Sequence, residues 1–226
     1  MSLEKAKDAA GFRALEFVRE GMLIGLGTGS TAACFIRYLI EKCKEGFQVH
    51  AVATSIVSEN MAREGGIELL DSNQVTHLDL TIDGADEIDP QKQLIKGAGG
   101  ALVREKIIAR MSRQMIVIAD ETKCVKRLGN HRLPVEVIPF GSNATKEHIS
   151  SLGLTGDYRK GKDGKPYVTD NHNWIFDITF STFPDQVEKL HDQLIQIPGI
   201  VDTGFFFNLA TKVIVGKANG TTNILE

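Results

Sequence analysis

Apolar residues fall into short blocks along this chain, and two different spacings alternate. Residues 4–20 carry Ala10, Phe12, Ala14, Leu15 and Val18 at helical intervals, with Gly21 as the stop. Met22-Leu-Ile-Gly-Leu26 is a continuous apolar run and predicts a buried strand. It leads into Gly27-Thr-Gly-Ser-Thr31, after which Phe35, Ile36, Leu39, Ile40 and Cys43 recur on one helical face. Ser30 or Thr31 is the natural N-cap of that helix, and Gly46 follows its end. Residues 49–53, 67–70, 78–82 and 115–119 read as further strands, and 55–64 and 98–111 as helices. Several strands are unbroken apolar runs. With the strand–helix alternation, they predict a mostly parallel sheet covered on both faces: an α/β, doubly wound, Rossmann-like fold.

The pattern changes near Pro134. Residues 135–138 read as a strand, 144–152 as a helix, and 158–168 as a hairpin turning at Lys162-Asp-Gly-Lys165. A strand at 174–179, a helix at 185–197 and a strand at 200–207 follow. This β-α-β-β-α-β order predicts a smaller α+β, ferredoxin-like domain. The expected division is 1–130 plus 208–226 for the catalytic α/β domain and 131–207 for the small one, with a strand at 212–215 returning to the large sheet.

Composition narrows the function. The chain has 226 residues and a net charge of -3, with no long run of one sign. It is not built to hold a nucleic-acid backbone by bulk charge. Cys34, Cys43 and Cys124 form no C-x-x-C pair, which argues against a disulfide framework and a thiolate zinc site. The opening residues are polar and charged, unlike a signal peptide, and no apolar run approaches the ~18 residues of a membrane span. The expectation is a cytoplasmic protein with neither nucleic-acid nor membrane partners.

Three loops carry candidate chemistry. Gly25-Leu-Gly-Thr-Gly-Ser-Thr31 joins a strand to a helix, where close backbone approach, hydroxyls and helix-start N–H groups suit an anion. It is not a P-loop, because no lysine follows its last glycine. As a dinucleotide fingerprint it has Ser30 in place of the third glycine, and the next strand ends Ala53-Thr-Ser55 without a carboxylate. Asp83-Gly-Ala-Asp-Glu-Ile-Asp89 follows a strand, where carboxylates meet ligands in open α/β sheets. Its plain alternative is a solvated acidic turn, and a hard-metal site is a third. Lys96-Gly-Ala-Gly-Gly-Ala-Leu-Val-Arg-Glu-Lys106 opens a helix on which Glu105 has Ala101 and Ala109 as its i±4 neighbours. That small-residue column lets a carboxylate pack inward, although a surface triplet Arg104-Glu-Lys106 is the ordinary reading. A carboxylate, a lysine and an anion cradle together suit proton abstraction beside a carbonyl. The six histidines are scattered, without metal-ligand spacing.

These residues resemble the type A ribose-5-phosphate isomerase family. The resemblance rests on Gly27-Thr-Gly-Ser-Thr-Ala32, Asp83-Gly-Ala-Asp-Glu87, Lys96-Gly-Ala-Gly-Gly-Ala-Leu102, Arg104-Glu-Lys106, Ile118-Ala-Asp-Glu-Thr-Lys123 and Leu133-Pro-Val-Glu-Val-Ile-Pro139. It implies interconversion of D-ribose 5-phosphate and D-ribulose 5-phosphate through a cis-enediolate, in the non-oxidative pentose phosphate pathway. It also implies roles by position. Glu105 is the base shuttling a proton between C2 and C1, and Lys96 stabilises the enediolate. Asp83 and Asp86 bind sugar hydroxyls, Asp83 also assisting ring opening. Thr28, Gly29, Ser30 and Thr31 line the substrate site, with Ser30 and Thr31 on the phosphate. Gly84, Ala85, Gly97, Ala98 and Gly99 contribute to substrate binding, as do Lys123 and Lys7. The family uses neither metal nor organic cofactor, and forms homodimers or dimers of dimers. Rival readings are an NAD-dependent oxidoreductase, from the Gly25/Gly27 loop, and a non-catalytic sugar-phosphate sensor domain. The single helix before the first strand is too little for the DNA-binding module such sensors carry.

Overall fold

The computed structural model describes residues 2–180 and 182–226. In chain order the elements are α1 (Ser2–Ala14), β1 (Leu23–Leu26), α2 (Ser30–Lys44), β2 (His50–Ala53), α3 (Ile56–Glu64), β3 (Glu68–Leu69) and β4 (Leu80–Asp83). Then come β5 (Glu87–Ile88), β6 (Leu94–Ile95), α4 (Leu102–Met111), β7 (Met115–Asp120), β8 (Leu133–Val137), α5 (Ser142–Ser151) and β9 (Thr155–Tyr158). The chain ends with β10 (Trp174–Thr179), α6 (Val187–Ile195), β11 (Ile200–Thr203), β12 (Phe205–Phe206), β13 (Lys212–Gly216) and β14 (Thr222–Leu225). None of these helices is long and apolar enough to cross a membrane.

The chain forms two compact units. The first takes the chain up to Ala85, Arg104–Cys124 and Asn208–Glu226; the second takes Asp86–Val103 and Val125–Phe207. Asp86–Val103, which the sequence pattern assigned to the larger domain, clusters with the smaller unit, and the division falls inside α4.

Among the described residues, the first unit holds one sheet in the order β14-β13-β7-β4-β1-β2-β3. Every neighbouring pair is parallel except β13–β14. The chain winds outward from β1 through β2 to β3, then restarts at β4 on the other side of β1. That reversal makes the carboxyl ends of β1 and β4 the place where an open α/β sheet binds ligands. β13 returns to this sheet beside β7, as expected.

Period-two alternation assigns the two faces. Ile24 and Leu26 of β1, Leu80 and Ile82 of β4, and Ile116 and Ile118 of β7 share a core with Ala10 and Ala14 of α1, Phe35 and Leu39 of α2, and Ala62 of α3. The other face carries Gly25, Thr81 and Val52, and there Ile108 of α4 packs. A Cβ on Gly25 would lie 2.6 Å from the Ile108 side chain and 2.2 Å from the Thr81 hydroxyl, so α4 rests directly on β1 because Gly25 has no side chain.

In the second unit, β8, α5, β9, β10, α6 and β11 give an antiparallel sheet in the order β11-β8-β10-β9, the expected ferredoxin-like arrangement. Its core is Leu133, Val135, Val137, Ile149, Phe176, Ile178, Leu190 and Leu194. The expected strand at 200–207 is instead two strands in two sheets. At Gly204 the chain crosses from β11 into β12, which pairs with β6 and then β5 in a small antiparallel sheet. Gly204 N–H donates to the Pro134 carbonyl at 2.7 Å and its carbonyl accepts from Lys96 N–H at 2.9 Å. The expected hairpin at 158–168 is a short pairing that follows β9: Tyr167 N–H donates to the Arg159 carbonyl at 2.8 Å, Lys160 bridges Pro166, and Gly161 N–H closes the turn on the Lys165 carbonyl at 2.8 Å.

Candidate active site

The turn after β1 is tight because β1 and β4 close on each other at its start. A Cβ on Gly27 would lie 2.2 Å from Asp83 Oδ1 and 2.5 Å from Asp83 Cα. The space that glycine leaves is filled by the aspartate itself, whose Oδ1 accepts from Thr28 N–H at 3.0 Å and Gly84 N–H at 2.7 Å. The cap of α2 is Gly29 at φ 102°, not Ser30 or Thr31, and no side chain caps it. Ser30 and Thr31 are therefore the first residues of the helix, and their N–H groups and that of Ala32 lie outside the helix's own ladder. They point out of the N-terminus, where the helix dipole favours negative charge.

The Thr28 hydroxyl is the centre of a cluster that sequence reasoning missed. It lies 2.8 Å from Thr54 Oγ1, 2.7 Å from Ser55 Oγ and 3.4 Å from Ser58 Oγ. Thr54 donates onward to the Leu26 carbonyl at 3.0 Å and Ser58 to the Gly27 carbonyl at 2.6 Å. Two hydroxyls from the β2–α3 connection and one from the first turn of α3 thus tie down the loop after β1. The available signal was Ser55, a typical N-cap, which accepts from Ser58 N–H at 3.2 Å.

Asp83 ends β4 itself rather than the loop beyond it, and it is fully buried. Two residues after Thr81, it shares the α4 face of the sheet and stands about 6.6 Å nearer the carboxyl end. α4 runs opposite to the strands: at its far end the Met111 carbonyl accepts from Leu78 N–H at 2.8 Å, and Ser112 Oγ lies 2.5 Å from Thr81 Oγ1. Glu105, three residues before Ile108, therefore lies about 4.5 Å closer to the same rim. It is 4% exposed and sits in the first turn of α4, with Ala101 and Ala109 also buried. The surface-triplet reading thus fails for Glu105. Two buried carboxylates share one face and one rim of the first unit.

Lys123, half-buried, closes the 3-10 turn Glu121–Lys123 at the carboxyl end of β7, beside β4. Asp120 fixes that turn by accepting from Thr122 N–H at 3.1 Å. α1 and α2 run in the same sense. Gly11 meets Cys34 and Phe35, and further on Leu15 and Glu16 line a groove with Glu41 and Glu45. Lys7, one turn before Gly11, comes level with the Ser30–Thr31 end of α2.

Gly84 and Ala85 close the first unit's share of the predicted residues, and the second unit holds Asp86, Lys96, Gly97, Ala98 and Gly99. Lys96 follows β6 and is 2% exposed, its ammonium 5.5 Å from the centroid of the Phe206 ring. Asp86 points its Oδ2 at the glycine-rich loop and accepts from Ala98 N–H at 2.9 Å. Ala98 and Gly99 are exposed, and Gly97 is buried. Glu87 corrects the acidic-turn alternative. It is fully buried, with one carboxylate oxygen accepting from Gly129 N–H at 2.5 Å and the other from His131 N–H. Asp89 holds the β5–β6 turn through Gln91 N–H at 2.9 Å and Gln93 N–H at 2.8 Å. Among the described residues, no group of three or more His, Cys, Asp or Glu side chains is arranged to hold a metal ion.

This geometry can be set beside known proteins. The family model for ribose 5-phosphate isomerase A (phosphoriboisomerase A) matches residues 50–220. A ribose-5-phosphate isomerase A of Protochlamydia amoebophila is 48% identical over 221 residues, covering 98% of this chain and 95% of that protein. A solved D-ribose-5-phosphate isomerase in complex with phospho-erythronic acid superimposes with a TM-score of 0.94 at 40% identity, covering all of both chains. The ribose 5-phosphate isomerase of Plasmodium falciparum gives a TM-score of 0.94 at 35% identity over 99% of each chain. Likeness at this level, running through both units and every loop that carries candidate chemistry, establishes that the chain belongs to the ribose 5-phosphate isomerase A family.

Proposed function

We propose that this protein interconverts D-ribose 5-phosphate and D-ribulose 5-phosphate by proton transfer, in the non-oxidative pentose phosphate pathway. The single observation that carries this beyond family membership is Glu105. It is a buried carboxylate on the first turn of a helix, on the same face and rim of the sheet as the buried Asp83.

The roles follow from the chemistry. An aldose–ketose shift removes the proton from C2 and returns one to C1, so a single base serves both steps. Glu105 is that base, and the electron pair left at C2 flows into the carbonyl to give a cis-enediolate. Lys96 offers its ammonium to the enediolate oxygen, a charge present only after the proton has left. Asp83, held by Thr28 and Gly84 N–H groups, assists ring opening and binds a sugar hydroxyl. Asp86 binds a second hydroxyl and braces the Gly97–Gly99 loop. Ser30 and Thr31 hold the phosphate at the start of α2, with Thr28, Gly29, Gly84, Ala85, Lys123 and Lys7 completing the contacts. A phosphate bound away from the reacting carbons orients them and so lowers the barrier. The reaction needs no redox carrier and no metal. The working form is a cytoplasmic homodimer or dimer of dimers.

The test is ketose formation from ribose 5-phosphate by purified protein in EDTA, without added cofactor, against Glu105→Gln. Rapid conversion by wild type is expected, with kcat collapsing in the variant while substrate still binds. Full activity in Glu105→Gln would remove that residue from the mechanism.

A further inference from the structure

The glycine-rich loop is held by side chains that neither the mechanism nor the motifs use. Arg159, just past β9, is only 18% exposed and forms a two-bond pair with Asp177 of β10: Nε to Oδ2 at 2.9 Å and Nη2 to Oδ1 at 2.6 Å. That leaves Nη1, which donates to the carbonyls of Gly97 at 3.0 Å and Ala98 at 2.8 Å. Tyr167, joined to Arg159 by a backbone hydrogen bond of 2.8 Å, donates its hydroxyl to the next carbonyl, Gly99, at 3.1 Å. The guanidinium and the Tyr167 ring lie 5.8 Å apart. Three consecutive carbonyls are thus drawn toward two neighbouring side chains.

A peptide unit is planar, with its N–H opposite its carbonyl. Fixing the Ala98 carbonyl on Arg159 therefore aims Gly99 N–H the other way. The preceding N–H, that of Ala98, is taken by Asp86. All these contacts lie within the second unit. We propose that Arg159, braced by Asp177, and Tyr167 are positioning residues that set the peptide planes of the Gly97–Gly99 loop, so that the loop presents Gly99 N–H to an oxygen of the sugar phosphate and holds the adjoining Lys96 in register. This rests on the reading that the loop binds the isomerase substrate.

Arginine is required because its planar fork serves the carboxylate and the carbonyls at once; a lysine ammonium cannot span both. The test compares Arg159→Met, Arg159→Lys and Tyr167→Phe with wild type, each by kcat and KM on the folded fraction and by amide hydrogen exchange of the peptide spanning 96–100. Both Arg159 variants are expected to lose about ten- to a hundredfold in kcat/KM, as misplaced catalytic contacts do. Most of the loss is expected in kcat, because the enediolate charge exists only along the reaction. Exchange in the loop should accelerate while the β8–β10 peptides stay protected. Tyr167→Phe, which removes one neutral hydrogen bond and poses little threat to folding, should lose roughly threefold with a smaller exchange change. Wild-type kcat and KM in folded Arg159→Met, full rescue by lysine, or losses that only follow the folded fraction would overturn the proposal. Should the Arg159 variants not fold, unchanged kcat and exchange in Tyr167→Phe would do so. Exchange needs no turnover, so an inert wild type would count against the isomerase reading alone.

Discussion

Replacing Gly27 with alanine adds one carbon where the turn after β1 abuts Asp83 at the end of β4. That carbon would stand 2.5 Å from Asp83 Cα and 2.4 Å from its Cγ. Carbons settle at about 3.5–4.0 Å, so the strands must part by about 1 Å. Rotating the Asp83 side chain does not relieve the clash, because one of the atoms met is backbone. Overpacking of this kind costs about 1–3 kcal/mol. Parting the strands also stretches the bond from Thr28 N–H to the Asp83 carboxylate, worth about 1.5–3 kcal/mol as a bond to a charged group. The sum, about 2.5–6 kcal/mol, is a large share of the ~5–15 kcal/mol that separates folded from unfolded protein. At a slope of about 2 kcal/mol per molar urea, the unfolding midpoint should fall by about 2 M. Activity in the folded fraction should drop about a hundredfold, since Asp83 and Thr28 move together. Gly29→Ala is the control. A Cβ there meets nothing within 4 Å, so only its φ of 102° opposes the change, at about 1–3 kcal/mol. An urea midpoint for Gly27→Ala equal to that of wild type, or a larger loss at Gly29 than at Gly27, would refute this reading of the β1–β4 contact.

Glu87→Gln replaces an acceptor oxygen with a donor nitrogen at the Gly129 and His131 N–H groups, so that a buried side-chain donor faces a backbone donor. Thermal unfolding should report about 1–3 kcal/mol of lost stability. Tyr38 donates to Asp8 at 2.6 Å, and that bond, with burial added, pushes the phenol up to about 12. Because the folded value lies above the unfolded one of about 10, this contribution is intact below about pH 10 and fades as the pH climbs toward the folded value. The ultraviolet phenolate band of Tyr38 should rise late, and Asp8→Asn should bring it back toward the ordinary range.

The larger sheet was legible because glycine punctuates its turns and its strands are continuous apolar runs. β1, α2 and β7 fall within a residue or two of where their patterns end. The small sheet was not legible. Glu87–Ile88 and Leu94–Ile95 are too short to show a period, and they become strands only by pairing toward Phe205–Phe206, far along the chain. The same limit hid the hydroxyls of Thr54 and Ser58, which look like ordinary loop and helix residues until α3 folds back under Thr28. Glu105 could be singled out because alanines flank it at i±4, which marks an inward face. Arg159 could not: it stands in a turn-rich charged stretch, and its role depends on Asp177 and on the carbonyls of a loop some sixty residues earlier in sequence.

The most direct measurement is isomerisation of ribose 5-phosphate in deuterium oxide, following label at C1 of the ketose. A carboxylate that lifts the C2 proton and returns one to C1 exposes it to solvent while the enediolate lasts. Deuterium is therefore expected at C1 of the product, and Glu105→Gln should abolish both the label and the turnover. Turnover and solvent label undiminished in Glu105→Gln would contradict the assignment of Glu105 as the base.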